Sequence, residues 1–209
     1  MTNMNGTPLP HILVVDDDPA VRDALAMMLE QQGLPVAVHA SGSAFLEAVR
    51  PEERGCAILD LHMPVLDGLA VQEEMRRRGL LLAVLFLSGR GDIPASVKAI
   101  KSGAVNFLTK PVAMAELLEN VRAAVAESEQ AHQHALAGRS AHALLANLTE
   151  REKEVMGLAL EGMPNKEIGR ALGISHRTVE IHKARLMHKM GVDNLLDLAR
   201  VAQAGGAGT

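Results

Sequence analysis

Four short apolar runs in the first half of the chain each stop at polar positions. His11 to Val15 leads into Asp16-Asp17, Cys56 to Leu59 into Asp60, Leu81 to Leu87 into Ser88, and Val105 to Leu108 into Thr109-Lys110-Pro111. Between the runs the apolar positions take helical spacing. In the first such stretch Val21, Leu25, Met28 and Leu29 share one face, after Pro19, suited to a first turn, and before Gly33, suited to an end. Further helices are expected near 43–49, 66–77, 94–102 and 113–127. Alternation of strand-like runs with amphipathic helices predicts βα units: an α/β domain over 11–127 with five strands in a parallel sheet and helices on both faces.

Beyond this domain the pattern changes. Residues 128–147 are rich in Ala, Gln, His and Ser, contain Gly138 and lack a strong apolar stripe, which predicts a helical extension followed by a linker. Thr149-Glu150-Arg151-Glu152 then has the spacing of a capping box, so a new helix should start at Thr149 with Val155, Leu158 and Ala159 on its apolar side. Short helices over 165–172, 176–190 and 194–202 follow, with a turn at Gly173-Ile174-Ser175 and Ser175 as a cap. Two helices joined by a glycine-containing turn are the parts of a helix-turn-helix, whose second helix enters the DNA major groove. An all-α four-helix domain over 148–204 is therefore expected, with 1–10 and 205–209 as flexible ends.

Composition narrows the function. A length of 209 residues suits two modest domains, and 48% hydrophobic content gives each a core. Three Phe with no Trp or Tyr exclude a nucleic-acid surface built by stacking bases on aromatic rings. The single Cys56 excludes an intramolecular disulfide and suits a reducing compartment. Neither a signal peptide nor a membrane-length apolar stretch is present, so a cytoplasmic protein without membrane contact is expected. The net charge of -4 conceals an asymmetry: 12 Lys+Arg against 17 Asp+Glu up to Leu148, then 9 against 8. Lys166, Arg170, Arg177, Lys183, Arg185 and Lys189 face only Glu167 and Glu180 within that span, a cationic patch of the kind that attracts phosphates. His176, His182 and His188 repeat every six residues, roughly 240° apart on a helix, so they share no face for a metal.

Because parallel strands present their carboxyl ends along one edge, Asp16, Asp17, Asp60, Ser88 and Lys110 should converge. Three carboxylates together repel one another and are tolerable around a hard cation such as Mg2+, which takes one or two carboxylates with waters and phosphate oxygens. A carboxylate can also be the nucleophile that forms an aspartyl-phosphate. Asp60, ending the run expected to be the central strand, is the candidate. Taken singly, each residue has a plain alternative as a solvated turn or helix cap, and Asp18 reads as the cap of the first helix. The coincidence of all of them at strand ends argues for chemistry.

These motifs carry a family resemblance. Val14-Val15-Asp16-Asp17-Asp18-Pro19, Ile58-Leu59-Asp60-Leu61-His62-Met63-Pro64, Leu87-Ser88-Gly89 and Phe107-Leu108-Thr109-Lys110-Pro111 resemble the receiver domain of two-component response regulators. Leu148-Thr149-Glu150-Arg151-Glu152, Gly162 to Ile168 and Ile174 to His182 resemble the LuxR-type helix-turn-helix, and the pair together is similar to the NarL/FixJ family, nearest its FixJ/StyR branch. The resemblance implies a flavodoxin-like receiver in which Asp60 is the phosphoacceptor. Asp16, Asp17 and Asp60 with the His62 backbone carbonyl would hold Mg2+, Lys110 would bind phosphate, and Ser88 and Phe107 would be the switch pair, where Thr and Tyr are commoner. It implies a sensor histidine kinase and double-stranded promoter DNA as partners, with RNA polymerase a further one. It also implies a homodimer on phosphorylation, for which Ile93, Val97, Lys98 and Lys101 are candidates.

On the expected recognition helix Val179, Leu186 and Met190 should face the core. Glu180, Ile181 and Ala184 are placed by the resemblance against base edges, while Lys166, Arg177, Thr178, Lys183, Arg185 and Lys189 suit DNA contact, mostly to phosphates. Two rivals remain. A haloacid-dehalogenase-like phosphatase shares the nucleophilic Asp but needs a second Asp two residues later, where His62 stands; alternatively, the carboxyl-terminal helices are a protein-interaction module.

Overall fold

A computed structural model describes residues 11–89 and 93–206; the expected flexible start, 1–10, the last three residues of the expected tail and the side chain of Ile93 lie outside them. The chain divides into two compact units, Met1–His132 and Gln133–Thr209.

In the first unit the strands are β1 (His11–Val15), β2 (Val36–His39), β3 (Gly55–Asp60), β4 (Ala83–Ser88) and β5 (Asn106–Thr109), all parallel, in the order β2-β1-β3-β4-β5. Between them run α1 (Pro19–Glu30), α2 (Gly42–Ala48), α3 (Gly68–Arg77) and α4 (Ile93–Lys101). Successive strand side chains point to opposite faces, so the central strands feed two cores. Leu13, Val15, Leu59 and Phe86 pack with Phe45 of α2, Val71 and Met75 of α3 and Ala99 of α4. Ile12, Val14, Ile58 and Leu85 pack on the other face with Leu25 and Leu29 of α1 and with Leu117, Val121 and Ala124. That double burial explains why these strands read as unbroken apolar runs instead of alternating ones. The strand order reverses between β1 and β3, so the crevice where such folds bind ligands lies at their carboxyl ends. Cys56 is fully buried in β3, and burial pushes its thiol up, away from the reactive thiolate.

The stretch expected to become a linker is helical instead: α5 runs from Met114 to Ala146. Its buried positions beyond residue 122 include Ala124, Ser128, His132, Ala141 and Leu145, so small and polar residues occupy the places where a stripe of large apolar ones would have signalled a helix. Within the first unit the Ser128 hydroxyl donates to the Leu81 carbonyl (2.8 Å) and accepts from the Gly55 amide (3.2 Å), and Arg54 pairs with Glu129 (3.2 Å).

In the second unit the end of α5 joins α6 (Glu150–Leu160), α7 (Asn165–Leu172), α8 (His176–Met190) and α9 (Leu195–Ala204) around Val155, Ile168, Val179, Leu186, Met190 and Leu198. The expected caps are present: Ser175 accepts from the Thr178 amide (3.1 Å), and α7 ends on Gly173 at φ 66, a left-handed turn that a side chain would strain. The capping box also forms, with the Thr149 amide donating to Glu152 (2.8 Å). Glu152 is only 3% exposed, and its charge is answered by Lys189 from α8 (2.7 Å). The bond from Lys189, helped by those from Thr149, holds the Glu152 carboxyl down to about 2.

Glu152→Ala should lower the stability of this unit by about 1–3 kcal/mol, through the lost cap and the unpaired Lys189, in urea denaturation. Since the folded-state value lies below the ordinary 4.5, this stabilisation is complete above pH 4.5 and drains as pH falls toward 2. The native chain should lose stability over that window more steeply than Glu152→Ala.

Candidate phosphoryl and nucleic-acid sites

The strand ends bring the expected residues together. Asp16 follows β1 and is 2% exposed, Asp60 closes β3 and is 7% exposed, and Lys110 follows β5. The Lys110 ammonium donates to Asp16 Oδ2 (2.6 Å) and also to Asp60 Oδ1, so one cation bridges two buried carboxylates. The remaining oxygens are held from the backbone, Asp16 Oδ1 by the Asp18 amide and Asp60 Oδ2 by the His62 amide, both at 2.9 Å. Ser88 is fully buried at the end of β4, and its carbonyl accepts from the Lys110 amide (2.7 Å). Asp17 and His62 are exposed beside this pocket. Asp18 caps α1 by accepting from the Ala20 amide (2.9 Å).

Burial pushes the Asp60 carboxyl up from the usual carboxylate range, more than the bonds from Lys110 bring it down, and the charge of Asp16 adds to the rise. For Lys110 burial acts downward, but its bonds to Asp16 and Asp60 together outweigh it and hold the ammonium above the ordinary lysine value. The pocket thus sets two carboxylates against one ammonium. Among the described residues no three His, Cys, Asp or Glu side chains cluster as a ready-made metal cage. The donor set is nonetheless one that suits Mg2+: hard oxygens only, two carboxylates in the pocket and a third, Asp17, at its mouth.

Between Asp60 and α3 the chain makes a tight loop. Val65 sits at φ 68, a costly region for a β-branched residue, and is held there by Leu66 N–H to Pro64 O (2.8 Å) and Gly68 N–H to Leu61 O (3.0 Å). A Cβ on Gly68 would lie 2.4 Å from the Asp60 carbonyl oxygen and 2.9 Å from the Phe86 ring, so glycine is what allows α3 to start against the phosphoacceptor candidate. Phe107 is half-buried and stacked on Phe86, with ring centroids 6.2 Å apart. On α4 the dimer candidates Val97, Lys98 and Lys101 are exposed, joined by Ile100, which the sequence pattern did not single out.

On α8 the buried side is Val179, Leu186 and Met190. Lys166, Arg177, Ile181, Ala184 and Arg185 are exposed. Glu180 is within 3.5 Å of Arg177 and 3.7 Å of His176, and the Thr178 hydroxyl pairs with that of Ser175 (2.8 Å). Lys183 donates to the Asn165 side chain on α7 (3.0 Å), a positioning contact that no single-helix pattern could reveal. Lys189, expected at a DNA phosphate, is exposed, and its ammonium binds the buried Glu152 carboxylate (2.7 Å) and the Asn147 carbonyl (3.2 Å).

Comparison with known proteins follows this geometry. The response regulator receiver domain matches residues 12–122, and the luxR family of bacterial regulatory proteins matches residues 146–202. The chain is 41% identical over 193 residues to the transcriptional regulatory protein FixJ of Azorhizobium caulinodans, covering 92% of each, and 40% identical over 192 residues to the response regulator TodT of Pseudomonas putida, covering 92% of this chain and 85% of TodT. Among solved structures it is similar to the response regulator StyR (TM-score 0.81, 34% identity, 94% of this chain and 99% of StyR) and to full-length FixJ from B. japonicum (TM-score 0.58, 35% identity, 97% and 100%).

Gly68→Ala should destabilise the first unit by about 1–3 kcal/mol, since backbone and a buried ring, not a flexible tip, stand in the way of the added methyl. Urea denaturation measures it; an unchanged midpoint shows that the loop yields freely.

Proposed function

Because the chain belongs to the two-component response regulators that join a receiver domain to a LuxR-type DNA-binding domain, we propose that Asp60 accepts a phosphoryl group from a sensor histidine kinase and that the product is a dimer with higher affinity for promoter DNA. The observation that carries this reading is the bridge from Asp16 through Lys110 to Asp60 at the strand ends. In the transfer an Asp60 oxygen attacks phosphorus, the bond to the histidine nitrogen breaks, and the imidazole leaves with a proton. Asp16, Asp17, Asp60 and the His62 backbone carbonyl would hold Mg2+, which supplies neutralisation of the phosphoryl oxygens when bound. Lys110 releases Asp60 Oδ1 and takes a phosphoryl oxygen. Ser88 donates to another, and Phe107 fills the space that Ser88 leaves, changing the surface of α4, β5 and α5. Raising an active state from roughly 1% to half needs about 2.7 kcal/mol, within reach of one such rearrangement.

The receiver extends over 11–127 and the DNA-binding domain over 148–204. In the dimer two copies of α8 meet half-sites roughly 34 Å apart, or one duplex turn. Glu180, Ile181 and Ala184 meet base edges, and Lys166, Arg177, Thr178, Lys183 and Arg185 meet phosphates. Lys189 is omitted, as its charge is spent on Glu152. Ile93, Val97, Lys98 and Lys101 belong to the dimer surface. RNA polymerase is a further partner, and the cytoplasm the place of action; among the described residues no helix is long and apolar enough to cross a membrane.

With beryllium fluoride and Mg2+ as a phosphoryl mimic, the native chain should dimerise in sedimentation, whereas Asp60→Ala should not. Equal dimerisation of both removes Asp60 from the switch. Loss of a phosphate contact in Lys166→Ala should weaken duplex binding uniformly across sequences and make the slope of log affinity against log salt shallower by about 0.9, whereas Lys189→Ala should leave that slope unchanged.

A further inference from the structure

We propose that Arg22 is a positioning residue for the acidic pair: its guanidinium fixes the backbone from which Asp16 and Asp17 project toward Mg2+. This rests on the reading of those carboxylates as the metal pair. The Arg22 Nη1 donates to the Asp16 carbonyl oxygen at 2.7 Å, and the Arg22 side chain is half-buried.

Three observations make this more than a surface arginine. Arg22 is the fourth residue of α1, whose first turn holds no acidic residue, so a cation stands near the positive end of the helix dipole, where it is locally disfavoured. The Asp18 carboxylate at the N-cap, four residues back, offsets part of that cost, and the guanidinium itself has a further partner. That partner is the carbonyl of the peptide joining Asp16 to Asp17. The Asp16 amide is still tied to the sheet through the His39 carbonyl (3.2 Å), but β1 ends at Val15, so the ladder no longer sets the direction of the next peptide. Arg22 sets it from the other side. Asp16 is consequently held at four points: its amide by the His39 carbonyl, its carbonyl by Arg22, Oδ1 by the Asp18 amide and Oδ2 by Lys110. Asp17, exposed, has its direction determined by the same peptide plane.

A guanidinium bonded to the backbone of the acidic pair has two opposite effects on a divalent cation. As a charge it repels Mg2+; as an anchor it pre-organises the ligands, and supporting contacts of this kind typically govern metal affinity by 10–100-fold. The geometry points to the anchor, since Arg22 grips the Asp16 carbonyl while the Asp16 and Asp60 carboxylates pair with Lys110.

The sign of the change decides the matter. In the 15N-labelled full chain the Asp18 and His62 amides, bonded to Asp16 Oδ1 and Asp60 Oδ2, report Mg2+ titration by chemical shift. Arg22→Met should raise the Mg2+ midpoint about tenfold, and Arg22→Lys, which keeps the charge and one donor, about threefold. A midpoint in Arg22→Met within twofold of the native, or below it, overturns the proposal, whatever happens to Tm: the first outcome makes Arg22 a strand-end tie, the second a mere charge. Should Arg22→Met fail to fold, Arg22→Lys carries the same test, and a native midpoint there overturns it. A native chain that gives no Mg2+ response overturns the metal reading together with Arg22; a native response unchanged in the variants overturns Arg22 alone.

Discussion

Two carboxylates buried within reach of a single ammonium set the terms for the first unit. Burying a carboxylate is costly unless charge and hydrogen bonds answer it, and Asp16 and Asp60 each receive one backbone amide and a share of Lys110. Everything about the sheet serves that contact. The order β2-β1-β3-β4-β5 sets Asp16 and Asp60 on neighbouring strands, but it places Lys110 two strands from Asp60, about 10 Å across the sheet. The lysine must therefore cross the end of β4. Ser88, small and fully buried, leaves that path open, and its carbonyl steadies the Lys110 amide at the start of the crossing.

The second unit solves the same problem to a different end. Glu152 is as buried as Asp16, but it faces one ammonium alone, and Lys189 and the amide and hydroxyl of Thr149 all converge on its Oε2. One carboxylate there meets one ammonium, and the charges balance. At the strand ends two buried carboxylates share the one ammonium of Lys110, while the Arg22 guanidinium is engaged by the Asp16 carbonyl and not by a carboxylate oxygen. A one-to-one buried pair gives a fixed helix start; two carboxylates on one ammonium suit the proposed cation and phosphoryl group.

That distinction also explains what could be read from the chain. Strand ends were legible because β1, β3 and β4 are buried on both faces, so a polar residue after an apolar run marks the edge, and Asp16, Asp60, Ser88 and Lys110 all meet there. Caps at Asp18, Thr149 and Ser175 were legible because their partners are two or three residues away. The partner of Lys189 is 37 residues distant, so its ion pair with the buried Glu152 shows only in the assembled fold. Arg22 and Gly68 escaped for the same reason, since each answers a carbonyl whose position only the assembled sheet determines. The helical extension beyond 127 was legible, but its reach to Ala146 was not, because Ala, Ser and His fill many of its buried positions.

The charge distribution constrains how phosphorylation can act on DNA. The sequence up to Leu148 already carries five more acidic than basic residues, 12 against 17, while the part from Thr149 onward is basic by one. A phosphoryl group adds roughly 1.5 to 2 further negative charges. Measured against a polyanionic duplex this change has the wrong sign: as electrostatics alone it weakens attraction. Under the proposed switch a gain in affinity must then come from geometry, and the proposed dimer would supply one that does not depend on net charge. In such a dimer, once one copy of α8 is seated, the second would bind at the effective concentration set by its tether, an advantage that multiplies the affinity of a single domain by factors of order a hundred or more. The small cationic excess of the second part fits this proposed division of labour.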